Sequence, residues 1–255
     1  MPSFSEVQES NAQYAPSYVP TAVFAGGTSG IGRAMAEAFA KQTKGRANII
    51  IIGRNKESAE SIAESIISGF PPPPPASESG DVVVKHEFIA CDASVMKNVH
   101  DTTQELLRRL DKINILVTSV GYLATSRVDT ADGVDASLAL RYYARAKFIE
   151  ELTPLLSKAK AAGEDARAMT VLAAAQGAEV DLDNLDLEKK WSMMLSANAS
   201  GSYNDVMIKV RLSAFSRRSP LTTTSRSKQS TILILRSSTS IQESSIPQLY
   251  GSIGV

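Results

Sequence analysis

A glycine-punctuated turn between an apolar strand and an amphipathic helix constrains this chain more than any other feature. Residues 25–39 read AGGTSGIGRAMAEAF and follow the short, mostly apolar run TAVFA at 21–25. Such a run suits a buried parallel strand, whereas Ile31, Met35, Ala38 and Phe39 recur at helical spacing. Gly26, Gly30 and Gly32 fall where a chain passing from strand to helix needs positive φ or close backbone approach. The free N–H groups of the first helical turn, together with the helix dipole, favour an anion there. A second apolar run, NIIII at 48–52, follows at the interval that a βαβ unit requires. The turn therefore predicts a phosphate-binding site at one end of a parallel sheet.

The glycine spacing is G-x-x-x-G-x-G, not the G-x-G-x-x-G of the general dinucleotide fingerprint. With Gly26, Gly30, Ile31 and Gly32 in place, and Ala25 where a Thr is usual, it resembles the nucleotide turn of the short-chain dehydrogenase/reductase family. It is most similar to a divergent set of such proteins from filamentous fungi, often encoded among secondary-metabolite genes, in which Ser-x-Gly-Tyr follows the fourth strand. Here that sequence is Ser119, Val120, Gly121 and Tyr122. The resemblance covers residues 20–210. It implies a Rossmann-like, doubly wound parallel α/β sheet in one domain. It also implies an NADP(H)-dependent oxidoreductase acting on a small-molecule carbonyl or hydroxyl in secondary metabolism, with homo-oligomers common. The alternative is a nucleotide-binding protein without turnover, serving a structural or regulatory role.

Composition narrows the partners. At 255 residues the chain suits one doubly wound domain with a large core. Lys plus Arg equals Asp plus Glu at 27 each, so no net field draws it to nucleic acid or to an anionic membrane. The single cysteine, Cys91, precludes an intramolecular disulfide, and with only two histidines there is little material for a transition-metal site. Residues 1–19 carry neither a signal peptide nor a spanning segment and read as a flexible tail, so the expected location is the cytoplasm.

Along the chain, a helix at 56–68 is stopped at Gly69, ahead of the prolines Pro71 to Pro75. The stretch 69–80 reads as a polyproline-like surface insertion, a spacer or a recruiting segment for a proline-reading partner. Strands are expected at 82–90, 113–118 and 168–173, alternating with helices at 95–110, 133–157 and 190–210. From Arg211 the composition turns to Ser, Thr and Arg with little periodicity, leaving room for one strand at 231–235 (TILIL). No Pro-Gly follows Leu235, where the family places one. The 211–255 segment is therefore expected to be irregular, the product of an altered reading frame or splice choice. A transcript encoding this same tail overturns that origin.

Candidate ligand contacts follow from these elements. Thr28 and Ser29 sit inside the turn with Gly26, Gly30, Ile31 and Gly32. Arg54 and Asn55, just past the second strand, stand where the adenosine ribose of a dinucleotide lies. A cation in place of the usual acid favours the 2′-phosphate of NADP over NAD, with Lys56 a possible second cation. Asp92 closes the third strand; the resemblance implies a hydrogen bond to the adenine, and its local alternative is capping of the following helix. Ser119 to Gly121 replaces the family's Asn-Ala-Gly. Gly121 allows close approach to the cofactor, while the amide that braces the sheet is gone.

The family's proton-transfer groups are a Ser, a Tyr with a Lys four residues on, and an Asn. The corresponding positions here hold Ala174, Met194 or Leu195 with Asn198 or Ala199, and Arg141, so no catalytic residue is assigned. Tyr143 and Lys147 have Tyr-x-x-x-Lys spacing, but they precede the fifth strand and are read as packing and surface residues. Arg141, Arg145 and Lys147 read as a basic, solvated or interfacial stripe.

Overall fold

The computed structural model describes residues 3–58, 60–62, 84–122, 124–172 and 177–218. Five strands, β1 (Thr21–Ala25), β2 (Asn48–Gly53), β3 (His86–Ala90), β4 (Ile115–Thr118) and β5 (Arg167–Thr170), form one parallel sheet in the order β3-β2-β1-β4-β5. Every neighbouring pair is parallel, with Val23 opposite both Ile50 and Leu116. The order reverses direction between β1 and β4, which opens a crevice at the carboxyl ends of those two strands.

Among the described residues the longer helices are α1 (Phe4–Ala12), α2 (Gly30–Gln42), α3 (Met96–Arg109), α4 (Ala144–Ala161) and α5 (Met193–Arg218), of which α2, α3 and α4 pack on the sheet. The chain enters α4 through a helical segment at Ala136–Leu138 and a π-helical turn at Ala139–Tyr143. Strand alternation divides the core. Val23, Ala25, Ile50, Ile52 and Leu116 face Val99 and Leu106 of α3 and Phe148, Leu152 and Leu155 of α4. On the opposite face, Ala22, Phe24, Ile49, Ile51 and Val117 pack on Ala36 and Ala40 of α2. Burial on both faces is what makes β1 and β2 read as continuous apolar runs.

The far end of the sheet is fastened by Asn114, which is fully buried. Its Oδ1 accepts from the Thr21 N–H at 2.9 Å, and its Nδ2 donates to Glu164 Oε2 at 2.9 Å and to the Asp165 carbonyl at 3.0 Å. One amide thus ties the starts of β1, β4 and β5. Asn114→Ala leaves the buried Thr21 N–H and the part-buried Asp165 carbonyl without this partner, and an expected loss of about 3 kcal/mol follows. Urea denaturation checks it through a lowered midpoint at unchanged slope; a loss below about 0.5 kcal/mol would mean that water replaces the amide.

Three expectations change. Residues 1–19 are more than a loose tail: α1 is closed by a reciprocal Ser3–Glu6 capping box. Beyond it, the Tyr18 hydroxyl accepts from the Asp165 N–H at 2.9 Å and donates to its carboxylate at 3.1 Å, which holds the segment against the sheet end. Second, α5 runs to Arg218, past the point where irregular structure was expected. Third, β5 ends at Thr170 instead of 173. The proline insertion, most of the 56–68 helix and the 231–235 strand lie outside the described residues.

Candidate functional site

Gly26 turns the chain off β1 with φ +89°, and a Cβ placed on it meets the Val120 nitrogen at 2.7 Å. Gly32, in the first turn of α2, is held closer still: its Cβ would stand 2.3 Å from both the Gly26 carbonyl oxygen and Ser119 Oγ. The Ser119 hydroxyl donates to the Gly26 carbonyl at 3.1 Å, so a serine takes over part of the bracing that the missing amide performs in the family. Ser29, at the N-cap of α2, makes no side-chain hydrogen bond to the first turn. The N–H groups of Gly30, Ile31 and Gly32 therefore stand uncapped by it, and the Ile31 side chain is 63 % exposed.

These groups line a cleft of about 520 Å³ that also contains Thr28, Arg54, Cys91, Ser119, Gly121 and Tyr122, with Arg141 and Arg145 beside Gly121. A second concavity adjoins it around Thr28, Ser29, Arg54 and Asn55. The glycine turn, Arg54, Ser119 and Gly121 thus come together. Asn55 and Asp92 have further local duties. Asn55 Oδ1 accepts from the Ser58 N–H at 3.0 Å. Asp92 Oδ1 accepts from the Ser94 N–H at 3.0 Å and from its hydroxyl at 2.7 Å, a turn before α3, whose own N-cap is Val95 and carries no side-chain bond, so Asp92 does not cap that helix. Burial pushes the Asp92 carboxyl up, but the two Ser94 bonds and the nearby Arg54 charge outweigh it and hold the carboxyl below its ordinary value.

Of the described proton-transfer positions, Arg141 lines this cleft and the others do not. Met194 is 60 % exposed on α5, and neither it nor Leu195, Asn198 or Ala199 lines the cleft. Ala174 lies outside the described residues. The Tyr143–Lys147 pair is split between partners: Tyr143 donates to Asp186 at 3.3 Å, and Lys147 pairs with Glu151 at 2.8 Å. Burial raises the Tyr143 phenol, followed by the Asp186 charge, the reverse of what a proton donor at neutral pH needs. Tyr203 is likewise a packing residue, buried and donating to the Leu185 carbonyl at 3.0 Å.

Sequence reading missed Arg145. Expected on a basic, solvated or interfacial stripe, it is instead tucked into the fold and only 5 % exposed. Its guanidinium donates twice to the Val120 carbonyl, at 3.0 and 2.7 Å, and also to Thr170 Oγ1 and the Val171 carbonyl. Burial, with a smaller effect from Arg141, pushes its pKa down to about 10. No local sequence signal marks these partners, since the acceptors on Val120, Thr170 and Val171 lie 25 or 26 positions away.

The short chain dehydrogenase family profile matches residues 20–164. An oxidoreductase, andH, of Emericella variicolor is 32% identical over 190 residues, covering 74% of this chain and 52% of that protein. The chain spans about half the length of the curated relatives it matches. Among solved structures, a metagenomic short-chain oxidoreductase in complex with NADP aligns with TM-score 0.55 and 17% identity, over 78% of each chain. An NADH-dependent reductase complexed with NAD aligns with TM-score 0.56 and 14% identity, over 78% of this chain and 74% of that one. At these identities the structures establish the fold alone. Among the described residues, no helix is long and apolar enough to cross a membrane.

Proposed function

Because the chain belongs to the short-chain dehydrogenase family, we propose that it binds NADP(H) in the β1–β4 cleft and acts as an oxidoreductase on a small-molecule carbonyl or hydroxyl in secondary metabolism. The nucleotide-binding unit is residues 20–210, working in the cytoplasm as a homo-oligomer. The observation that carries the reading is the pair of contacts at Gly26 and Gly32, where no side chain fits and the uncapped α2 N-terminus faces the cleft. That cradle suits a pyrophosphate on the N–H groups of Gly30, Ile31 and Gly32, with Thr28 and Ser29 beside it. Arg54 then takes the 2′-phosphate, Asn55 and Asp92 border the adenosine end, and Ser119 and Gly121 border the nicotinamide. Bound there, the nicotinamide supplies or accepts the hydride.

The second reading is a nucleotide-binding protein without turnover, favoured by the non-acidic side chains at 194, 195, 198 and 199 and by Arg141 in place of the family's Asn. Thermal unfolding with and without NADPH, followed by substrate-dependent NADPH oxidation over ketones and enones, separates the two. A ligand at about 100 times its Kd stabilises by about 2.7 kcal/mol. A cooperative transition indifferent to NADPH defeats the whole proposal, and stabilisation without oxidation leaves the second reading standing.

Arg54→Glu tests cofactor choice. Like-charge repulsion at the 2′-phosphate is expected to weaken NADPH about tenfold or more, while NADH, which offers a 2′-hydroxyl to the new carboxylate, binds tighter. Titration of both nucleotides by intrinsic fluorescence checks it. Equal losses for the two would remove Arg54 from the 2′ position.

A further inference from the structure

We infer that Arg141, backed by Arg145, forms a subsite for a carboxylate carried by the substrate. The inference rests on the dinucleotide reading above and extends the same cleft. The two arginines stand one turn apart and line the cleft beside Gly121. Both crowd Gly121: a Cβ built there lies 3.3 Å from Arg145 Nη2 and 3.4 Å from Arg141 Cγ.

Charge makes this end unusual. Among the described residues neither arginine has a carboxylate within ion-pair distance; Arg46, Arg54 and Arg108 also lack one but are exposed, whereas Arg145 is buried and Arg141 half-buried. Arg145 spends its donors on the ends of β4 and β5. The guanidinium of Arg141 has no protein acceptor among the described residues, although burial holds its pKa below the ordinary value. A half-buried cation beside a fully buried one, both without a counter-charge, is a site whose electrostatic cost an incoming anion relieves. The dinucleotide's own anions are accounted for at the α2 N-terminus and at Arg54, which leaves this end for the other reactant. A guanidinium fork matches a carboxylate in two parallel hydrogen bonds.

The test uses the full chain, with phenylpyruvate and 2-oxobutyrate as probes, each against its methyl ester, and thermal stabilisation measured with and without saturating NADP+. The acids are expected to bind at least tenfold more tightly than the esters. Arg141→Gln should bring that ratio near one while shifting the NADP+ Kd less than threefold. Acids and esters behaving alike on the wild type, or an acid preference that survives Arg141→Gln, overturns the assignment. So does a variant that loses NADP+ more than it loses the acids, because the cations then serve the dinucleotide. A protein that binds no NADP+ refutes the dinucleotide reading instead, and the acid-to-ester ratio on the nucleotide-free chain still decides this one.

Discussion

Gly32→Ala is expected to abolish the stabilisation by NADPH and to cost the protein itself about 2 kcal/mol. The added Cβ would stand 2.3 Å from the Gly26 carbonyl oxygen, a backbone atom that cannot rotate away, and 2.3 Å from Ser119 Oγ, which hydrogen-bonds that same carbonyl. Alanine's better helix propensity works the other way, by at most about 1 kcal/mol, so the steric contact wins. Relief requires α2 to move off the β1 turn, which carries the N–H groups of its first turn away from the phosphate position. If affinity falls 100-fold, NADPH at about 100 times the wild-type Kd stabilises the variant by only about 0.4 kcal/mol, against about 2.7 for wild type. Gly30→Ala is the control: nothing lies within 4 Å of its Cβ, so only the strain of φ +54° acts, about 1–2 kcal/mol. A Gly32→Ala protein that unfolds earlier but keeps the full NADPH shift would place the dinucleotide elsewhere.

What the sequence made legible follows from where its signals are local. Strands β1 and β2 announced themselves because both faces are buried, and the glycine turn because Gly26 and Gly32 have no steric alternative. The N-terminal segment was misread because its anchor is non-local: Tyr18 reaches Asp165, 147 positions away. Asp135 was invisible for the same reason. It is fully buried, accepts from the Trp191 indole at 3.1 Å and caps the Leu138 N–H at 2.9 Å, joining the entry to α4 to the stretch before α5. The basic residues at and before the start of α4 were misread for a more local reason, since their spacing already divides them. A π-helical turn at Ala139–Tyr143 adds a residue to the helical count, closing with an Ala144 N–H to Ala139 carbonyl bond. Arg145 and Lys147, two positions apart in a regular helix, project about 200° apart, so Arg145 is buried while Lys147 pairs with Glu151.

That division makes Arg145→Leu the most informative stability variant, since two large effects oppose each other at one side chain. Taking a guanidinium out of water without a carboxylate costs several kcal/mol, a cost reflected in its depressed pKa, for which burial is the main cause and the neighbouring Arg141 charge the lesser one. Against it stand four hydrogen bonds from a charged donor, to the Val120 and Val171 carbonyls and Thr170 Oγ1, each worth about 1.5–3 kcal/mol. Leucine relieves the first and forfeits the second, and it strands two carbonyls just beyond the ends of β4 and β5. The hydrogen bonds prevail in this sum, so a net loss of about 2–4 kcal/mol is expected. Arg145→Lys should fall between wild type and leucine, because an ammonium keeps the charge but cannot span both strand ends as a planar fork does. Urea denaturation of the three proteins gives the order directly. Should leucine prove more stable than arginine, the cation is a net liability in the unliganded fold, and its place beside Arg141 is explained only by an anion it helps to hold.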